Sequence, residues 1–61
     1  MMATPQELAL KEAQDRFGAS AYTVDHHDRK EVGCMWNGER TFVFASTWEK
    51  ALEKLGKRLG R

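Results

Sequence analysis

The sequence has little of what reinforces a small fold or carries a chain into a membrane. It has one cysteine, Cys34, among 61 residues, so it cannot form the internal disulfide that stabilises many small secreted domains. It has no apolar run of about 18 residues and no basic leader before a hydrophobic stretch, as a membrane span or a signal peptide would require. We therefore expect a cytoplasmic domain with no membrane partner.

Motifs that signal catalysis are also missing. The sequence contains none of the short motifs of phosphate loops, dinucleotide folds, zinc proteases or redox pairs. A chain of this length has little room for a ligand pocket beside its own core. We therefore expect no enzyme activity, no catalytic residue and no cofactor. The net charge of +1 is too near neutral to indicate nucleic acid as a partner by itself.

What the chain contains is typical of one globular domain over residues 1–61, with residues 1–3 frayed. Hydrophobic residues make up 41% of the sequence and charged residues 31%, whereas a disordered chain has less apolar surface and a larger net charge. A domain this small buries only about 60% of the surface that its unfolded chain exposes. Its stability is therefore marginal, and a partner or a second copy would add to it.

The first helix has a clear start and end. Thr4 is a good N-cap, Pro5 fits the first helical position, and Glu7 stands three residues after the cap. The pattern predicts a helix from Pro5 to Phe17 that ends at Gly18 in the left-handed conformation. At 100° per residue its apolar arc contains Ala9, Leu10, Ala13 and Phe17. Leu8 falls among charged residues and is either a harmless exposed side chain or part of a contact.

Three strands are predicted after this helix. Tyr22 and Val24 alternate with neighbouring residues in a first strand, which leads into a polar turn at 25–29. The β-rich runs 30–36 and 39–45 flank Asn37-Gly38, the strongest short signal for a hairpin with a type I′ turn. The sequence thus predicts an antiparallel three-stranded sheet.

A second helix is predicted after the hairpin. Ser46 and Glu49 have the Ser-x-x-Glu spacing of a capping box, so the helix starts after Ser46 and continues to about Leu59. Its apolar arc contains Trp48, Ala51, Leu52, Leu55 and Leu59. Gly56 indicates either a close approach of another group or fraying after Leu55. The predicted fold class is α+β, in the order α-β-β-β-α, with both helices packed on one face of the sheet.

The predicted hairpin is apolar on both faces. One face contains the cross-strand pairs Trp36 and Glu39, Cys34 and Thr41, and Val32 and Val43. The other contains Met35, Phe42 and Phe44, with Gly33 opposite Phe42, where a missing side chain lets an aromatic ring lie across the neighbouring strand. Two helices cover one face of such a sheet. Met35, Phe42 and Phe44 are therefore the predicted partner-binding residues, unless a strand twist, a bulge or the chain ends cover both faces; the pattern does not decide which face the helices cover.

The second helix also has a basic stripe opposite its apolar arc. Residues 49–61 contain five basic and two acidic side chains. The stripe consists of Lys50, Lys54, Lys57, Arg58 and Arg61. It is either a binding surface for nucleic acid or an acidic partner, or a solvated face whose cations complement the helix dipole.

Two features invite a chemical interpretation. His26 and His27, between Asp25 and Asp28, are metal-ligand types, but adjacent strand residues point to opposite faces, so we predict a polar turn and no metal site. Cys34 lies on a half-buried strand with no clear electropositive neighbour. We interpret it as a small apolar core residue rather than a nucleophile.

The order of helix, three strands and helix resembles that of double-stranded RNA-binding domains, over nearly the whole chain but in topology only. That family has a Gly-Pro-x-His loop between its first two strands and a Lys-Lys-x-Ala-Lys cluster at the start of its last helix. In this sequence only His27 and Lys50 match those motifs, and loosely. The resemblance implies shape-based RNA binding through basic groups, which acidic Asp25, Asp28 and Glu49 oppose.

Two hypotheses about function follow. The first is a small non-enzymatic protein-binding module or regulator, comparable in size to many phage-borne regulators, that dimerises or binds another protein through Met35, Phe42 and Phe44. The second is a nucleic-acid-binding domain that uses the basic stripe, with exposed aromatic rings stacking on bases.

Overall fold

The computed structural model describes residues 3–60, and Met1, Met2 and Arg61 lie outside the described residues. Of residues 1–3, which were expected to be frayed, only Ala3 is among the described residues. The elements are α1 (Pro5–Phe17), β1 (Tyr22–Asp25), β2 (Lys30–Trp36), β3 (Glu39–Ala45) and α2 (Trp48–Leu59). The strands form one antiparallel sheet in the order β1-β2-β3. The predicted α+β fold and its order α-β-β-β-α are confirmed.

Helix α1 begins as its sequence predicts. The Thr4 hydroxyl accepts a hydrogen bond from the Glu7 backbone N–H at 3.2 Å, which satisfies one of the donors left unpaired at a helix N-terminus. Gly18 ends the helix, but the predicted left-handed conformation is wrong, since its φ is 100° and its ψ is 173°. The extended ψ redirects the chain toward β1, and the Ala21 N–H then donates to the Gly18 carbonyl. Glycine adopts this positive φ without the steric cost of a side chain.

Helix α2 begins one residue later than predicted. The N-cap is Thr47 and not Ser46, because the Thr47 hydroxyl accepts from the Lys50 N–H at 3.1 Å. Glu49 is consequently the second helical residue and lies too early to complete the capping box. Its carboxylate still stands in the first turn, where it complements the helix dipole.

The same helix does not fray at its glycine. Gly56 is buried, and α2 continues through it to Leu59. Gly60 then takes the left-handed conformation, with φ 74° and ψ 29°, and its N–H donates to the carbonyls of Gly56 and Lys57. The interpretation of a loose tail after Leu55 is therefore wrong.

The β2–β3 hairpin has the predicted turn and register. Asn37 and Gly38 both have positive φ, 53° and 81°, as a type I′ turn requires. Trp36 pairs with Glu39, and the two strands stay in register as far as Lys30 and Ala45. The turn thus decides which side chains of β2 and β3 share a face.

The core lies between the helices and one face of this sheet, which we call the covered face. Val32 and Cys34 from β2 and Val43 from β3 are buried there, against Leu55 of α2 and Ala13 of α1. The remaining buried core residues are Ala9, Phe17, Ala21, Ala51 and Leu52, whereas Leu10 of the predicted α1 arc is only half-buried. In residues 3–60 neither helix is long and apolar enough to cross a membrane.

Candidate functional site

The opposite face of the sheet, which we call the open face, has neither of the two helices of residues 3–60 against it. It consists of Tyr22, Val24, Glu31, Gly33, Met35, Arg40, Phe42 and Phe44. Met35 is 50% exposed and Phe42 43%, while Phe44 is half-buried. The structure therefore places the three predicted partner-binding residues together on the uncovered side.

Phe44 is the centre of a ring cluster at one end of the open face. Its ring meets the Phe42 ring edge to face at a centroid distance of 5.6 Å and the His26 ring at 5.7 Å. The Arg29 guanidinium lies 4.0 Å from the Phe44 centroid, a favourable cation–π distance. These contacts fix the position of Phe44 and leave Phe42 as the more accessible of the two rings.

The carboxylate of Glu31 lies beside this cluster with both oxygens engaged. The Tyr22 hydroxyl donates to Oε2 at 2.6 Å, and Nε2 of His26 lies 2.6 Å from Oε1. The hydrogen bonds from Tyr22 and then from His26 hold the pKa of Glu31 below its ordinary value. Burial, followed by the adjacent Glu31, raises the pKa of Tyr22 to about 12. Both carboxylate oxygens of Glu31 thus have partners within the chain.

Gly33 makes room for the ring of Tyr22 and not for that of Phe42, which stands opposite it on β3. A Cβ added at Gly33 would lie 2.6 Å from Cε1 of Tyr22, which is closer than packed atoms approach. The ring that crosses this position belongs to Tyr22 of β1, the Cα partner of Gly33, and not to Phe42 of β3. The glycine therefore allows Tyr22 to lie flat on β2 and to reach Glu31.

The outer edge of β3 borders the open face. The Lys54 ammonium of α2 donates to the Phe44 backbone carbonyl at 2.7 Å, so this carbonyl points away from β2. Arg58 joins Lys54 along a groove that also contacts Arg40 and Phe42. Lys54 and Arg58 therefore stand beside the edge of this strand, whereas the Arg40 guanidinium lies over the open face, 5.4 Å from the centroid of the Tyr22 ring.

The predicted basic stripe is divided by these contacts. Lys54 and Arg58 face the β3 groove, whereas Lys57 forms an ion pair with Glu53 at 3.3 Å. Lys50 is exposed near the start of α2, and Arg61 lies outside the described residues. Only part of the stripe is thus available on one surface.

The polar turn at 25–29 does not assemble a metal site. Asp25 is ion-paired with Lys30 and His26 is hydrogen-bonded to Glu31, while His27 and Asp28 are exposed. Among the residues of the described part of the chain, no group of three or more His, Cys, Asp or Glu side chains could hold a metal ion.

Cys34 is a buried core residue on the covered face. Burial raises the pKa of its thiol, which disfavours the thiolate that a nucleophile or a metal ligand needs.

Sequence reasoning missed the polar half of the open face. The Asn37-Gly38 turn already implied that Glu31 stands opposite Phe44, so this neighbour could have been found. Tyr22 and His26 could not, because the four-residue loop between β1 and β2 does not fix a register as a two-residue turn does.

Compared with protein-family models, with curated proteins and with solved structures, the chain gives no match in any of the three.

Proposed function

We propose that this domain is a non-enzymatic polypeptide-binding module that holds another protein, or a second copy of itself, on its open face. The observation that carries the proposal is that the helices cover one of two apolar sheet faces and leave Met35 and Phe42 exposed beside Phe44. Contiguous exposed apolar side chains are more typical of interfaces than of free surface. Aromatic residues and Met are also enriched at such interfaces.

The internal pairing of the face supports the same proposal. Glu31 is held by Tyr22 and His26, so covering the face does not leave an unpaired carboxylate, which would be costly. Arg29 lies over Phe44 and is placed at the rim, where interfaces carry their charged groups.

Peptide selection with a matched control tests the proposal. A random 12-residue peptide library is selected against the wild-type domain, and recovered peptides are titrated by calorimetry against Phe42→Ser and Leu8→Ser. Leu8 is 59% exposed on α1, so the control removes a similarly exposed apolar side chain elsewhere. We expect the Phe42→Ser variant to bind at least tenfold more weakly and the Leu8→Ser variant to bind within twofold of wild type.

Light scattering over a concentration series identifies self-association. A dimer that survives high salt and is lost in Phe42→Ser would make the second copy the occupant of the open face. Recovery of no peptide together with a monomeric protein, or binding that is insensitive to Phe42→Ser, would overturn the proposal. Circular dichroism shows whether each variant keeps its fold.

Nucleic-acid binding is the second candidate, because Lys54 and Arg58 line one groove with the exposed Phe42. Such a surface would grip phosphates and stack on bases, and its affinity would fall steeply with salt. Titration of labelled single- and double-stranded oligonucleotides at low and moderate salt tests it. The absence of binding even at low salt would end this candidate.

A further inference from the structure

The edge of β3 is the strongest feature beyond the open face itself. We propose that β3 takes an extended, acidic segment of a partner protein as a fourth strand of the sheet. This inference rests on the proposed function and specifies the form and the charge of the polypeptide that is bound.

The backbone of β3 is oriented for strand addition. In a hairpin with a two-residue turn, the pair next to the turn is hydrogen-bonded and pairs then alternate, so the N–H and C=O groups of Arg40, Phe42 and Phe44 point away from β2. The bond from Lys54 to the Phe44 carbonyl shows this outward direction. On the other side of β2, the Met35 N–H donates to the Ser20 hydroxyl at 3.1 Å, as the same alternation requires. Within residues 3–60, no hydrogen bond is made to the outward groups of Arg40 and Phe42.

The other edge of the sheet is less suitable. Strand β1 has four residues, against seven in β3. Its outer side is occupied by α1, whose Gln6 donates a hydrogen bond to the Thr23 carbonyl at 3.4 Å. An exposed edge strand is a template for pairing with another chain, and proteins that bind extended peptides in this way use it as such.

The charges beside β3 define the chemistry of the added segment. Lys54 and Arg58 line the groove along the strand together with one carboxylate, that of Glu39, whereas the Arg40 guanidinium lies over Tyr22. In the part of the chain that the structure describes, neither Lys54 nor Arg58 forms an ion pair. An acidic segment complements them and is guided to the edge by their field.

The same charges disfavour the other occupants. A second copy paired edge to edge would bring Lys54 and Arg58 of both copies together, and like charges across strands are destabilising. A nucleic-acid backbone would satisfy the cations, but phosphates offer acceptors only, and the carbonyls of Arg40 and Phe42 require donors. A polypeptide strand offers donors and acceptors in alternation.

Alternation of side chains then predicts the sequence pattern of the segment. On an added strand, successive side chains point to opposite faces. Those on the open face would lie beside Phe42, and those on the helix side would meet Lys54 and Arg58. We expect apolar residues at every second position, with aspartate or glutamate between them.

The peptides recovered from the random library provide the probe. We expect acidic residues to alternate with apolar ones in the recovered sequences. N-methylation of single backbone amides should weaken binding at least tenfold at every second position, because only those amides donate to β3. A segment that binds through side chains alone would not show this alternation.

A pair of charge reversals on one helix tests the electrostatic part. Arg58→Glu and Lys50→Glu change the net charge equally, but only Arg58 faces the β3 groove. We expect Arg58→Glu to weaken peptide binding at least tenfold and Lys50→Glu to leave it within threefold. Circular dichroism confirms that both variants are folded.

The outcomes separate this inference from the proposed function. Peptides that require Phe42 but are not acidic, tolerate every N-methylation and ignore Arg58→Glu would overturn strand addition and leave the binding module standing. Peptides that do not require Phe42, or the recovery of none from a monomeric protein, would overturn both.

Discussion

The two faces of the sheet contain similar amounts of apolar side chain and differ in what covers them. Phe42 and Val43 are neighbours on β3, yet Val43 is buried under the helices and Phe42 is exposed. Cys34 and Met35 on β2 show the same contrast. Since α2 packs against both β2 and β3 from one side, the covered face stabilises the fold, whereas the open face keeps apolar side chains exposed.

The polar groups of the two faces differ as well. In residues 3–60 the buried core contains no polar or charged side chain. The open face instead contains the hydrogen-bonded set of Tyr22, Glu31 and His26. Hydrogen bonds among these three side chains fix their orientation. A fixed orientation of polar groups suits a binding surface, whereas the small core holds its side chains by apolar packing alone.

The largest expected effect comes from truncating one residue on each side of the sheet. Leu55 is fully buried, so Leu55→Ala should lower the free energy of unfolding by about 2–5 kcal/mol through lost burial and a new cavity. Phe42→Ala should lower it by less than about 1 kcal/mol, because the ring is already in partial contact with water. Urea unfolding followed by tryptophan fluorescence measures both. Equal losses would show that Phe42 belongs to the core.

A smaller effect is expected at the glycine beneath Tyr22. Gly33→Ala places a Cβ against the Tyr22 ring, and the hydrogen bond to Glu31 prevents the ring from moving freely, so we expect a loss of about 1–3 kcal/mol. In a Tyr22→Ala background the same change should cost much less, because the space is then open. A double-mutant cycle by urea unfolding gives the coupling. Additive losses would contradict the proposed contact.

The smallest effect is a shift in the titration of Tyr22, the sole tyrosine of the chain. Absorbance at 295 nm should give a pKa of about 12. Because this folded-state pKa lies above the ordinary value, the associated stability is present below about pH 10 and is lost as the pH rises toward 12. Glu31→Gln should lower the pKa, but not to the ordinary value, since burial remains. An unchanged pKa in Glu31→Gln would contradict the role of Glu31.

Much of the fold could be predicted because its signals are local. The Thr4 cap and the Asn37-Gly38 turn each act over a few residues, and each is found where it was predicted. The errors were also local. Thr47 competes with Ser46 as a cap because both carry a hydroxyl, and the conformation of Gly18 depends on where β1 has to begin.

The sequence predicted the apolar residues of the open face but not its hydrogen-bonded polar residues. Met35, Phe42 and Phe44 share a face as a direct consequence of the turn register. The pairing of Tyr22 and His26 with Glu31 depends on how β1 lies against β2, and no short sequence signal specifies that.

Local signals specify the order of the elements, the β2–β3 register and the shared face of Met35, Phe42 and Phe44, because caps, turns and side-chain alternation act over short distances along the chain. Long-range packing is what makes the helices cover Val32, Cys34 and Val43 and what places Tyr22 over Gly33. Both faces satisfy the same apolar pattern, so the choice between them follows from how α1 and α2 pack together across the whole sheet.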